Sequence, residues 1–146
     1  MDEETVKVIE KTMSVRKSPS VLMVEDDSLI RLIHTIMLQD LQCEVETAAT
    51  AQEALDKADH PYDLILLDIG LPDMQGTELA AQLRLHPRHQ QTPMVFVTTF
   101  TAEELGEACT NLAIHQVINK PVNKKSFKSV IAETMPRPLK SLGLSA

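Results

Sequence analysis

Tryptophan is absent from this chain, and its 146 residues include one Tyr and three Phe. That leaves no platform on which nucleic-acid bases could stack. A formal net charge of −7 also denies it the basic face that nucleic acid or an anionic membrane would need. Glycine occurs four times and never as G-x-G-x-x-G, which excludes a Gly-rich loop cradling a nucleotide's phosphates. Cysteine is equally scarce. Cys43 and Cys109 stand far apart and in no ligand-like cluster, so they read as buried free thiols of a reducing compartment. Stretches such as Leu64-Ile65-Leu66-Leu67 are far too short to span a bilayer. The acidic start Met1-Asp2-Glu3-Glu4 has no apolar run behind it, so no secretory signal and a cytoplasmic location are expected.

What is present is ordinary globular material. With 43% hydrophobic and 24% charged residues, the chain is expected to form one domain that buries about two-thirds of its unfolded surface. Residues 1–18 carry mixed charge and read as an N-terminal tail. Within them Val6, Ile9 and Met13 recur at the spacing of a short amphipathic helix. Residues 136–146, opening with Pro136 and Pro138, read as a C-terminal tail. Residues 19–135 hold the fold.

Along that stretch, apolar runs of strand length alternate with helical patterns. Strands are expected at Val21–Val24, Cys43–Ala48, Asp63–Leu67, Met94–Val97 and Gln116–Asn119. Helices are expected at Ser28–Leu41, Ala51–Ala58, Gly76–Leu85, Ala102–Leu112 and Lys124–Met135. Thr50 with Glu53, and Thr101 with Glu104, have the spacing of capping boxes. Asp27 is placed to cap the first helix. The last helix carries its apolar stripe at Phe127, Val130, Ile131 and Met135. Continuous apolar strands alternating with helices predict an α/β fold: a doubly wound, five-stranded parallel sheet with helices on both faces. Ligands of such a sheet sit beyond the carboxyl ends of its strands.

Those ends carry the informative residues. The first strand runs into Glu25-Asp26-Asp27, the third ends at Asp68, the fourth at Thr98-Thr99, and the fifth at Lys120-Pro121. Parallel strands bring these ends together. Two carboxylates roughly 5 Å apart repel by about 3 kcal/mol at an effective dielectric near 20. A hard divalent cation with oxygen ligands is the natural compensation. Such a cation, with the Lys120 ammonium, could hold a phosphoryl group in line with a carboxylate nucleophile.

The strings Val21-Leu22-Met23-Val24-Glu25-Asp26-Asp27, Tyr62 through Gly76, Pro93-Met94-Val95-Phe96-Val97-Thr98 and Lys120-Pro121 resemble the receiver domain of response regulators in two-component phosphorelays. The resemblance covers residues 19–135 and implies the flavodoxin-like (βα)5 fold. It also implies that Asp68 is the phosphoacceptor and that Mg²⁺ is the cofactor. The metal is expected on Asp26 and Asp68, on Glu25 through water, and on the carbonyl of Gly70. Lys120 is expected to pair with a phosphoryl oxygen, Thr98 to be the switch hydroxyl, and Lys120–Pro121 to be cis. The implied role is a signalling phosphoacceptor, not a turnover enzyme. An aspartyl phosphatase would need a second acid two residues after Asp68, where Gly70 stands. The alternative is a receiver-like module that binds partners without phosphorylation, which the intact set Glu25, Asp26, Asp68, Thr98 and Lys120 opposes.

Three positions depart from the family pattern. Val117 stands where many receivers carry an aromatic residue, although receivers of hybrid kinases often have an aliphatic one. Thr99 replaces a small residue, and Ala113-Ile114 replaces a usual Gly-Ala before the fifth strand.

On the first helix, Ile30, Ile33, Met37 and Leu41 are expected to face the sheet, with His34 at the edge of that face. Leu29, Leu32 and Ile36 form a second stripe about 120° round the helix. This surplus apolar surface, with Pro121, is the expected docking site for a histidine kinase or histidine phosphotransfer domain. A monomer or weak dimer is expected. With about ten residues after the last helix, too few for an effector domain, the chain is expected to pass on its phosphoryl group or to bind a partner when phosphorylated. His86 and His89 flank Pro87 without ligand-like neighbours and are expected in a surface loop.

Overall fold

The computed structural model describes residues 2–8 and 18–135. Its elements are β1 (Ser20–Val24), α1 (Ser28–Asp40), β2 (Glu44–Ala48), α2 (Ala51–Asp56), β3 (Leu64–Leu67), α3 (Gly76–Leu85), β4 (Met94–Thr98), α4 (Ala102–Leu105), α5 (Ala108–Asn111), β5 (Gln116–Asn119) and α6 (Lys124–Thr134). The strands lie in the order β2-β1-β3-β4-β5, and every pair is parallel. Residues 3–8 are helical and include Val6; Ile9, Met13 and the expected C-terminal tail lie outside the described residues.

Strand alternation divides the core in two. Leu22, Val24, Ile65, Leu67, Met94 and Phe96 pack with Ala51 and Ala54 of α2 and Leu79 and Leu83 of α3. Val21, Met23, Leu64, Leu66, Val95 and Val97 pack on the other face with Leu38 of α1 and Phe127 and Ile131 of α6. Because β3 is central and covered on both faces, all four of its residues must be apolar, and they are.

The phase of α1 differs from the expectation. Ile33 is 43% exposed, whereas His34 and Leu38 are buried. Asp27 Oδ1 accepts from the amides of Leu29 and Ile30 at 3.0 Å each and sets where the helix begins. His34 then stacks on Phe127, with ring centroids 5.3 Å apart. Hydrophobicity ranks Ile33 above His34, but packing against α6 decides the face.

Three further expectations are corrected. The region Ala102–Leu112 is two short helices, because Gly106 adopts φ +59° and its amide closes the first on Ala102 and Glu103. The box at Thr101 and Glu104 is complete. At Thr50 it is half formed: Thr50 Oγ1 accepts from the Glu53 amide, but the Glu53 carboxylate accepts from Ala49. His89 is not in a surface environment. It is fully buried, with Nε2 2.7 Å from the Ala58 carbonyl and Nδ1 3.0 Å from Thr92 Oγ1, and burial pushes its pKa down.

Arg84 clamps the loops on this side. Its Nη1 donates to the carbonyls of Thr92 (2.6 Å) and His89 (2.9 Å). Nε reaches Leu112 (2.8 Å) and Nη2 reaches Ala113 (3.1 Å). Ala113 itself sits at φ +54°, in the left-handed region that a Cβ opposes. Ala113→Gly should therefore stabilise the fold by about 0.5–1 kcal/mol, the relief of strain exceeding the entropy glycine adds to the unfolded chain. Urea unfolding would show this as a higher midpoint at unchanged slope.

Candidate functional site

Register places the acidic groups. Val24 of β1 pairs with Leu67 of β3, so Glu25 and Asp68 leave adjacent strands at the same level. The strand order also reverses direction at β1, which makes this the crevice where such sheets bind ligands. Carboxylate oxygens of Glu25, Asp26 and Asp68 all lie within 4.8 Å of one another. Glu25 and Asp68 are buried and Asp26 is exposed. From the end of β5, Lys120 reaches across β4: its Nζ is 2.5 Å from Glu25 Oε1 and 3.0 Å from Asp68 Oδ2. The Lys120 amide donates to the Thr98 carbonyl, and the Lys120–Pro121 bond is cis.

Burial pushes the Glu25 carboxyl above its usual range, against the opposing pull of Lys120 and the Asp27 amide. Burial alone would lower Lys120, but the two carboxylates outweigh it and hold the ammonium above its ordinary pKa. The asymmetry has a simple origin. Lys120 has two anionic partners, while Glu25 shares one cation with a second anion. Three carboxylates against one ammonium leave a formal deficit of two charges, which one divalent cation cancels. The all-oxygen donor set and its spacing fit magnesium.

Two loops hold these groups in place. The Glu25 amide donates to the Ala48 carbonyl (2.9 Å) and the Asp27 amide to Glu25 Oε2 (3.2 Å). Arg31 Nη1 donates to the carbonyls of Glu25 (2.8 Å) and Asp26 (3.3 Å). After β3, Asp68 Oδ1 accepts from the Ile69 amide (2.7 Å), and the Gly76 amide donates to the Ile69 carbonyl (2.7 Å). Asp73 accepts from the amides of Ala51 and Gln52 at 2.9 Å each, tying this loop to the start of α2. These bonds hold its carboxyl below the usual range. Sequence reasoning missed Arg31 and Asp73 as supports of the site, and read Gly76 only as a helix start. An Asp that follows a helix by many residues carries no local capping signal, so Asp73 is not legible as a cap of α2.

The structure thus brings Glu25, Asp26, Asp68 and Lys120 together. Thr98 is buried at the end of β4, its hydroxyl accepting from the Phe100 amide (3.3 Å), and Gly70 is exposed beside an isolated bridge to Gln75. Among the described residues no hydrogen bond joins either one to the three carboxylates. Leu29, Leu32 and Ile36 are 63%, 56% and 50% exposed, so the second stripe of α1 is not consumed by the core. Ile33 extends it, and Pro121 is exposed as well. Among the described residues no helix is long and apolar enough to cross a membrane.

Comparison with known proteins gives a consistent picture. The family model described as response regulator receiver domain matches residues 21–132. Hybrid signal transduction histidine kinase L of Dictyostelium discoideum is 30% identical over 118 residues, covering 76% of this chain and 7% of the kinase. The aerobic respiration control sensor protein ArcB of Escherichia coli is 32% identical over 114 residues, covering 77% of this chain and 14% of the sensor. The chain therefore spans a small part of the length of these relatives. Among solved structures, the chemotaxis response regulator CheY4 of Vibrio cholerae superposes with a TM-score of 0.77 at 31% identity, over 82% of this chain and 100% of that one. The receiver domain of sensor histidine kinase PA1611 from Pseudomonas aeruginosa, which has a magnesium ion in its active-site cleft, shares the fold. Its TM-score is 0.73 at 22% identity, over 80% of this chain and 97% of that one.

Proposed function

The chain belongs to the response regulator receiver domain family, and from that premise we propose that Asp68 accepts a phosphoryl group from a phosphohistidine of a partner protein. The observation that carries this reading is the cluster of three carboxylates with one shared ammonium at the carboxyl ends of β1, β3 and β5. An oxygen of Asp68 attacks phosphorus, forming an O–P bond. The P–N bond of the donor breaks, and its electron pair leaves on the imidazole nitrogen. Asp26, Asp68, Glu25 and the carbonyl of Gly70 would hold Mg²⁺, which supplies the charge that lets an anionic phosphoryl group approach carboxylates. Lys120 then gives up its hold on Asp68 to pair with a phosphoryl oxygen, and the Thr98 hydroxyl turns toward another. The domain assists its own phosphorylation and its later hydrolysis without turning over free substrates. It works in the cytoplasm, within a phosphorelay or as a hybrid-kinase receiver.

The donor docks on α1. Leu29, Leu32 and Ile36, with Ile33 beside them and the exposed Pro121 after β5, offer an apolar face to a helical histidine kinase or phosphotransfer domain. Leu32→Glu is expected to slow phosphoryl transfer from such a protein at least ~10-fold, the cost of a charge in an apolar contact, while sparing transfer from acetyl phosphate. Equal losses with both donors would remove the docking role.

The function itself is tested by intact mass after incubation with acetyl phosphate and magnesium. One phosphoryl group adds about 80 Da. An unchanged mass would favour a module that binds partners without phosphorylation.

A further inference from the structure

We propose that Arg31 is a positioning residue for the acidic loop, holding the backbone of Glu25 and Asp26 so that their carboxylates converge on one cation. This rests on the assignment of those carboxylates to magnesium. Three acidic residues in a row, Glu25-Asp26-Asp27, repel one another and would spread if the loop were free. Two of them have other restraints. Glu25 is tied to Ala48 and Lys120, and Asp27 caps α1. Asp26 does not share them. Among the described residues its one hydrogen bond is from Arg31 Nη1 to its carbonyl, and the same nitrogen also holds the carbonyl of Glu25.

The choice of acceptors is informative. A guanidinium serving as a counter-ion would pair with a carboxylate. Arg31 instead donates to two main-chain carbonyls and leaves the Asp26 carboxylate open for a metal. Arg31 is anchored in turn within α1, its amide on the Asp27 carbonyl (2.9 Å) and its carbonyl accepting from Thr35 Oγ1 (2.6 Å).

Positioning and simple charge predict opposite signs. Removing a nearby positive charge alone would tighten binding of a dication; removing a tether would weaken it. The test is calorimetric titration of the full chain with magnesium chloride, comparing wild type with Arg31→Met, Arg31→Lys and Asp26→Asn. Arg31→Met is expected to raise the magnesium Kd about 10-fold, as loss of a group that orients metal ligands does. Arg31→Lys keeps the charge but lacks the planar fork, and is expected to fall between Arg31→Met and wild type. A Kd in Arg31→Met that is unchanged or lower than wild type, with Asp26→Asn no longer binding, would overturn the proposal alone. If wild type binds no magnesium, the underlying metal assignment falls and this proposal with it. Should Arg31→Met fail to fold, Arg31→Lys decides: weaker binding than wild type supports the tether, and equal or tighter binding overturns it.

Discussion

Asp68→Ala is expected to gain no mass in acetyl phosphate and magnesium, where the native chain gains about 80 Da. Neither neighbouring carboxylate is a ready substitute. Both oxygens of Glu25 are engaged, Oε1 by the Lys120 ammonium and Oε2 by the Asp27 amide. Asp26 is exposed on the loop outside the end of β1, and among the described residues no hydrogen bond orients its carboxylate as the Ile69 amide orients that of Asp68. Chelating the magnesium from wild type should likewise prevent the gain, because the two uncompensated negative charges then face the incoming phosphoryl group. The variant should nonetheless fold. Without Asp68, Lys120 and Glu25 form a one-to-one pair, and the repulsion that Asp68 adds to the burial of Glu25 is gone. The thermal midpoint without magnesium is therefore expected to be at least that of wild type, and the rise on adding magnesium to be smaller. A phosphorylated Asp68→Ala protein would move the phosphoacceptor elsewhere.

Gly76→Ala should be the most damaging single methyl group in this fold. A Cβ there would lie 2.1 Å from the Asp68 carbonyl oxygen and 2.7 Å from Ile69 Cα. Both are backbone atoms of the segment that carries Asp68, and neither can rotate aside. The bond from the Gly76 amide to the Ile69 carbonyl would have to lengthen, and α3 or the loop would have to move. Overpacking of this kind costs about 3 kcal/mol or more, roughly a 10 °C fall in the thermal midpoint for a domain of this size. The chemistry should suffer beyond the stability loss. A shift of the nucleophile by about 1 Å is worth on the order of 100-fold in rate, read as slower mass gain at a temperature where the variant is still folded. Gly70 provides the control. A Cβ at Gly70 meets nothing within 4 Å, so Gly70→Ala should leave the midpoint unchanged. Equal behaviour of the two variants would mean that the close approach at Gly76 is not tight.

Much of this molecule was legible in its residues because the signals are local. Asp63–Leu67 reads as a strand from its four consecutive apolar residues, and Asp27 reads as a cap from its place before a helical pattern. Glu25, Asp26, Asp68 and Lys120 group together from sequence, since parallel strands must release their carboxyl ends along one edge. The misreadings share a cause. Ile33 and His34 compete for the same helix face, and the winner depends on Phe127, far along the chain in α6. His89 is buried by Ala58 and Thr92, and Asp73 caps a helix that begins 22 residues before it.

Composition, periodicity and strand ends by themselves determined the fold class and the acidic edge, and the resemblance to receiver domains singled out Asp68 as the nucleophile candidate. Only the tertiary structure decided which face of α1 is covered, that Arg31 and Asp73 brace the two loops, and that Gly76 admits no side chain. Hydrophobic spacing acts within one segment, whereas a hydrogen bond or a steric limit between distant segments exists only once packing has set their separation.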